Sequence, residues 1–396
     1  MSNNYDFQYS IIDVVSALGL SIRRSNSSVM YVDCPYCEVN PRNGHDGKGK
    51  FEIVIAKNFG HCCRCNNPPK GEGMLNLYAY VRGCDVKQAH KEMLEYVGKV
   101  ENKQTVINNR KRIQKAIIAT ESATSKAPNC ILDRTYRAFL SELTLYKKHY
   151  KELTSKKRSL TPKFVKGFGF KSVPTDWRER SRVMKSLLSK GVILEGVPGF
   201  FVNRRGNWDF NCYSDGFLIP LVNINNEIVG MQFKPDNPKD EKNKYICFSS
   251  PYKNKGTSSG SPVHLTSRKK TSTVFITEGG LKADIAYALC GNVFMSVQGV
   301  NCQKELEPTL KALKANGVNR VVDCFDADCK YNPNVEKARN QLKKLIESCG
   351  LKYSRMVWDM DYPCVEKELK GIDDYMIYVP KEKWQFSIAV SLNDFK

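Results

Sequence analysis

Two apolar runs that each end in acid constrain this chain more than any other feature. Thr273-Val274-Phe275-Ile276-Thr277-Glu278 has the β-branched and aromatic content of a short buried strand. Gly279-Gly280 then supplies a tight turn, and Leu281-Lys282-Ala283-Asp284-Ile285-Ala286 continues with helical spacing. Val321-Val322-Asp323-Cys324-Phe325-Asp326-Ala327-Asp328 is a second strand-like run that leads into a carboxylate pair two residues apart. Strand, helix and strand in this order predict parallel strands with right-handed crossovers, whose carboxyl ends share one edge of the sheet. Read as strand, the second run sends Asp326 and Asp328 from the same face. Glu278 is expected to meet them at that edge, and Asp373 with Asp374, in Lys370-Gly371-Ile372-Asp373-Asp374-Tyr375, to join from further along. Carboxylates gathered so closely repel unless a cation lies between them, and hard oxygen donors suit Mg²⁺ or Mn²⁺. A lone Asp-x-Asp is common in solvated turns and helix caps; the second acidic strand end is what selects the metal reading.

A chain of 396 residues has room for two or three domains. Charged residues at 26% and hydrophobic ones at 41% describe a soluble globular protein. No apolar run is long enough to span a bilayer, and the first residues lack a signal-peptide pattern, so a cytoplasmic protein without a membrane partner is expected. The formal charge of +21 points to a polyanionic partner, most simply nucleic acid. Between residues 100 and 190 there are 22 Lys and Arg against 7 Asp and Glu, so most of the excess is clustered.

Fifteen cysteines, an odd number, argue for reduced thiols and metal binding rather than a disulfide framework. Cys34-Pro35-Tyr36-Cys37 follows a strand-like Val29-Met30-Tyr31-Val32, and Cys62-Cys63-Arg64-Cys65 follows Phe51-Glu52-Ile53-Val54-Ile55. Two Cys-x-x-Cys turns after strands, with 24 residues between them, have the spacing of a zinc ribbon, because each turn lets two sulfurs reach one tetrahedral ion. The expected ligands of one structural zinc are Cys34, Cys37, Cys62 and Cys65. His61 and Cys63 are lower-ranked alternatives, since neither keeps the two-residue spacing.

Residues 6–20 read as an amphipathic helix and residues 72–97 as two helices packed on the ribbon. Polar residues around Arg110-Lys111-Arg112 mark a linker over 99–130. Residues 131–195 read as helical and basic, with Lys147-Lys148, Lys151 and Lys156-Lys157-Arg158 interleaved with Tyr136, Tyr146, Tyr150 and Trp177, a composition suited to a nucleic-acid strand. Residues 196–270 read as β structure, with a turn at Asn225-Asn226-Glu227.

The region 271–380 resembles a Toprim domain, the metal-binding catalytic domain of bacterial primases, topoisomerases and some nucleases. The first hundred residues resemble the zinc-binding domain of DnaG-type primases: leading helix, Cys-Pro-x-ligand, strand, His-Cys-x-x-Cys, glycine turn and helix pair. Cys37 takes the place where that family usually has histidine. Residues 196–270 resemble the part of the primase core that precedes Toprim, where Lys234, Lys244, Tyr245, Ser250 and Pro251 match a pattern that binds template and nucleotide phosphates. Gly216 falls where the family commonly has an arginine, so Arg204 or Arg205 is expected to supply that contact. Lys282 stands where many primases place an additional acid, and Gly371 replaces the first residue of a late aspartate pair. This combination is closer to a Toprim branch encoded by mobile elements and phages.

The resemblance implies an α/β chain, α+β overall, in four parts: a zinc-ribbon DNA-binding domain (1–98), a linker (99–130), a basic mixed α+β subdomain of a primase core (131–270) and a Toprim catalytic domain with a central parallel sheet (271–396). It implies a primase that makes short RNA primers on single-stranded DNA from nucleoside triphosphates, with Glu278, Asp326, Asp328 and Asp373 holding Mg²⁺ or Mn²⁺. A replicative helicase partner would be a separate chain. A Toprim nuclease and a non-catalytic DNA-binding replication factor are the alternatives it leaves.

Overall fold

The computed structural model describes residues 9–25, 29–37, 47–62, 72–99, 124–238, 244–251, 253–299, 305–327, 333–362, 368–384 and 387–389. The chain divides into two compact units, Met1–Ala123 with Tyr252–Asn254, and Thr124–Pro251 with Lys255–Lys396. The expected linker falls mainly on 100–123, outside the described residues.

In the first unit five strands form one antiparallel sheet in the order β1 (Ile22–Ser25), β2 (Val29–Val32), β3 (Phe51–Val54), β4 (Phe59–Cys62) and β5 (Glu72–Gly73). The leading helix, Ile11–Ala17, begins at Ser10, whose side chain and that of Asp13 form a reciprocal capping box. Met30, Val32, Phe51 and Ile53 of the sheet pack against Ile11, Val14, Leu77 and Met93 of the helices Ile11–Ala17, Met74–Arg82 and Val86–Lys99. Each such side chain contributes about 1.5–3 kcal/mol by leaving water. The strand at Phe51 stops at Val54, because Ile55 opens a short 3-10 turn that ends on left-handed Asn58.

The second unit opens with four helices, Asn129–Ser141, Lys147–Thr154, Pro162–Phe168 and Trp177–Ser189. They lie with a four-stranded antiparallel sheet ordered β11 (Ile246–Cys247), β10 (Ile228–Pro235), β9 (Gly216–Val222) and β6 (Lys171–Ser172), and with a hairpin of β7 (Phe200–Val202) and β8 (Trp208–Phe210). Phe139, Phe200, Phe210 and Phe248 share one aromatic core there.

A six-stranded sheet follows, ordered β12 (His264–Leu265), β14 (Phe294–Val297), β13 (Thr273–Glu278), β15 (Arg320–Asp323), β16 (Lys352–Val357) and β17 (Ser387–Ala389). β14, β13, β15 and β16 are parallel, and the two edge strands are antiparallel to them. The fold is thus the mixed α+β class with a central parallel sheet that the sequence predicts. The chain leaves β13 toward β14 on one side, and leaves β15 toward β16 on the other. Between β13 and β15 the connections therefore diverge, which opens a crevice at the carboxyl ends of these two strands.

One local expectation is corrected. β15 ends at Asp323, so Asp326 lies on the following loop and strand alternation does not aim it. Asp323 causes the exit: its Oδ1 accepts the Phe325 N–H at 2.9 Å, turning the chain out of the sheet. The buried Asp323 carboxylate is also gripped by Arg339, at 2.7 and 3.0 Å, and by the Tyr353 hydroxyl at 2.7 Å.

Candidate nucleic-acid and metal sites

In the N-terminal unit, Cys34 and Cys37 sit on the turn after β2, and Cys62 closes β4. Their sulfurs all lie within 4.8 Å of one another. The Cys37 and Cys62 sulfurs are 3.7 Å apart, against the ~3.8 Å edge of a tetrahedron with ~2.3 Å zinc–sulfur bonds. The Tyr36 amide points at the Cys34 sulfur from 3.4 Å, as a donor to a thiolate would. Gly47 closes the turn; a Cβ there would approach the Cys37 Cβ to 2.8 Å. Contact with Cys62 and burial push the Cys34 thiol well above its usual range, a direction that a cation among the three sulfurs would oppose by favouring the thiolate. The donor set therefore fits one zinc ion. Cys65 and Cys63 lie outside the described residues, and His61 stands on the other face of β4, its ring 6.3 Å from that of Phe59.

The second unit carries a cleft of about 970 Å³ at the carboxyl edge of the parallel sheet. Three acid-bearing segments are stitched together around it by the backbone. Past the end of β15, the Cys324 N–H donates to the Ile276 carbonyl at 2.8 Å, and Thr277 Oγ1 donates to the Cys324 carbonyl at 3.2 Å. The loop of Asp326 is thereby tied to the strand end of Glu278. The Ala327 N–H then donates to the Lys370 carbonyl at 2.9 Å, which draws in the segment before Asp373. Gly279 makes the turn between Glu278 and the helix Gly280–Cys290 with φ 78°, a conformation in which glycine has no Cβ penalty.

Glu278, Asp326, Asp373 and Asp374 all line this cleft, as do Lys244 and Tyr245. Asp328 falls outside the described residues. Lys282, in the first turn of that helix, projects into the group and forms an ion pair with Asp326. Burial by itself would lower the Lys282 ammonium, but Asp326, Asp373 and Glu278 outweigh it and hold the group above its usual range. Burial raises the Asp373 carboxyl, with Lys282 opposing. Among the described residues, only the cysteines bring three metal-ligating atoms within 4.8 Å of one another; the carboxylates stand around Lys282 rather than closing on each other. Glu278 and Asp326 are hard oxygen donors at an open cleft, which fits the usual mode of Mg²⁺, held by one or two carboxylates and completed by water and phosphate.

The other sequence-predicted residues are distributed differently. Lys234 is buried on β10, with its ammonium 3.0 Å from Glu152, and reaches the cleft only through that acid, which lines it. Ser250 is fully buried, donating to the Phe200 carbonyl at 2.6 Å and accepting the Thr257 N–H at 3.1 Å, so it fastens a loop. Arg204 and Arg205 line a separate cleft of about 880 Å³ with Lys185, Trp177 and Trp208. At Gly216 a Cβ would meet the Lys234 carbonyl oxygen at 2.3 Å, so no side chain fits this position as the strands are paired.

Three basic residues on the wall of the acid cleft, Lys157, Arg158 and Lys370, were not singled out as site residues by sequence. Their signals were there: Lys157 and Arg158 end a basic run, and Lys370 immediately precedes the acid-bearing turn. Within that run Lys148 is held by Asp215 and Asp236, at 2.9 and 2.8 Å. Among the described residues no helix is long and apolar enough to cross a membrane.

Comparison with known proteins gives the following likenesses. A family model described as "Domain of unknown function (DUF3854)" matches residues 265–382. No curated protein matches the sequence. The chain is similar to the zinc-binding and RNA polymerase domains of the Aquifex aeolicus primase, with 15% identity, 91% of this chain and 81% of that one covered, and a TM-score of 0.46. It is similar to the RNA polymerase domain of Mycobacterium tuberculosis primase DnaG in complex with double-stranded DNA, with 18% identity, coverage of 63% and 79%, and a TM-score of 0.46. A third likeness is to the E. coli primase catalytic core, with 15% identity, coverage of 62% and 75%, and a TM-score of 0.40.

Proposed function

We propose that this chain is a primase-like nucleotidyltransferase that synthesises short RNA primers on single-stranded DNA, in the replication of a phage or mobile element. One observation carries the proposal: Glu278, Asp326 and Asp373 share a single cleft with Lys157, Arg158, Lys244 and Lys370 at the sheet edge where the connections from β13 and β15 diverge. Joining two nucleotides takes a proton from a 3′-hydroxyl, forms a bond from that oxygen to an α-phosphorus and releases pyrophosphate. Negative charge grows on phosphoryl oxygens throughout, so the site must neutralise charge and align groups rather than offer a nucleophile of its own.

In this reading Glu278 and Asp326, with Asp328 and supported by Asp373, hold Mg²⁺ or Mn²⁺. Such an ion lowers the pKa of the attacking hydroxyl and offsets the charge of the phosphoryl oxygens. Lys244, Lys157 and Arg158 steady the triphosphate, and Tyr245 supports them from the same wall. Lys234 acts at one remove, by fixing Glu152. Arg204, Arg205 and Trp177, which is 67% exposed, offer charge and a stacking surface to the template strand. Cys34, Cys37 and Cys62, completed by Cys65, hold one structural zinc in a ribbon that grips single-stranded DNA. A replicative helicase, as a separate chain, is the partner this activity would serve.

Template-dependent ribonucleotide incorporation on single-stranded DNA tests the reading. Asp326→Asn should reduce incorporation by at least about 10³-fold while circular dichroism and zinc content stay unchanged. Undiminished incorporation overturns the assignment. Cleavage of DNA by the wild type with Mg²⁺ and no nucleotides would assign the same acids to hydrolysis instead.

A further inference from the structure

Two departures from the primase pattern, Lys282 and Gly371, prove to be neighbours in space. A Cβ built on Gly371 would lie 3.3 Å from both Cε and Nζ of Lys282 and 2.6 Å from Asp373 Oδ1. Any other residue at 371 would push against the ammonium or the carboxylate it faces. The glycine thus makes the room that the lysine occupies, and the lysine uses it to place a positive charge beside Asp326 and Asp373. Only Oδ1 of Asp326 engages this ammonium, and the half-exposed carboxylate retains Oδ2 for another partner.

We propose that Lys282 is a built-in cation: its ammonium takes the place of one metal ion, so that the cleft binds a single divalent ion on the Glu278 and Asp326 side. The inference rests on the reading of the acid cleft as a divalent-metal site. Three carboxylates around one fixed positive charge need fewer exogenous charges than the same carboxylates without it. Gly371 is the positioning residue for that charge, because it sets the space in which Nζ lies. An acid at 282 would reverse a charge at the centre of the group and create the donor set for a second ion.

Titration of the zinc-loaded 396-residue chain with Mn²⁺, followed by the electron paramagnetic resonance of the free ion, reads the stoichiometry directly. The wild type should bind one Mn²⁺ per chain, and Lys282→Glu should bind two. Lys282→Gln, similar in length and uncharged, should bind the first Mn²⁺ at least about tenfold more tightly, since a neighbouring positive charge is removed. Two comparable Mn²⁺ ions on the wild type would overturn the role given to Lys282 and leave the metal reading standing. So would a Lys282→Gln chain with unchanged Mn²⁺ affinity. A wild type that binds no Mn²⁺ would overturn both.

Discussion

The cysteine cluster and the acid cleft solve the same electrostatic problem in opposite ways. In the first, three sulfurs converge within 4.8 Å of each other, a spacing that suits one shared cation. In the second, the carboxylates are held apart by a lysine that the chain itself supplies. The first arrangement leaves room for a cation among its sulfurs; the second already sets a cation of its own, the Lys282 ammonium, against Asp326. The same economy recurs one strand level deeper, where Arg339 answers the fully buried Asp323.

Chelation should separate the two regions most sharply. Structural zinc contributes on the order of 10 kcal/mol to small domains of this kind. Treating the full chain with phenanthroline should therefore open residues 9–62 to limited proteolysis while 124–384 stay protected. Equal protection of both regions would erase the contrast.

A smaller effect is expected within the second unit. Arg339→Ala leaves the Asp323 carboxylate buried without its cation and should cost about 3–5 kcal/mol, read from the urea midpoint. A loss below about 1 kcal/mol would show that Tyr353 and the Phe325 amide suffice to hold that carboxylate.

The smallest effect concerns an acid that, among the described residues, has no lysine or arginine paired with it. Asp284 accepts a hydrogen bond from His264 Nε2 at 3.0 Å, because His264 Nδ1 already accepts the Val222 N–H, and its Oδ2 is buried without a partner. Burial raises its carboxyl above the ordinary 3.8. A carboxyl raised in the folded state stabilises the fold fully below its unfolded pKa and loses that contribution as pH rises through the folded value. Stability should thus fall from about pH 4 upward relative to Asp284→Asn, which keeps the His264 bond. The difference in urea midpoint between the two chains should grow by the equivalent of about 1–3 kcal/mol from pH 4 to pH 7. A difference that does not change with pH would place Asp284 with the acids that have a resident counter-charge.

Much of this was legible in the residues alone. Thr273–Glu278 and Val321–Asp323 were readable as parallel strands because apolar content, glycine turn and helical spacing all agree locally. The sequence-predicted acids Glu278, Asp326 and Asp373 do line one cleft. Aiming Asp326 by strand alternation failed, since Asp323 turns the chain out of β15 by accepting the Phe325 N–H, with its carboxylate fixed by Arg339 and Tyr353 from distant segments. For the same reason Lys234 could not be seen to turn to Glu152, and Arg204 and Arg205 could not be assigned to a second cleft. Local pattern encodes the elements, whereas side-chain direction at a loop is decided by partners far away in the chain. The Lys282 and Gly371 pairing is of that kind: each looked like a defect singly, and only proximity makes them one feature.

The stitching of the acid cleft by Cys324, Ala327 and Lys370 has a consequence for biosynthesis. The thiols belong to one short stretch and can close on a metal while the ribosome is still translating the rest. The acid cleft cannot assemble until the segment after Lys370 has left the exit tunnel. A nascent chain would therefore bring its cysteine cluster together before its acid cleft.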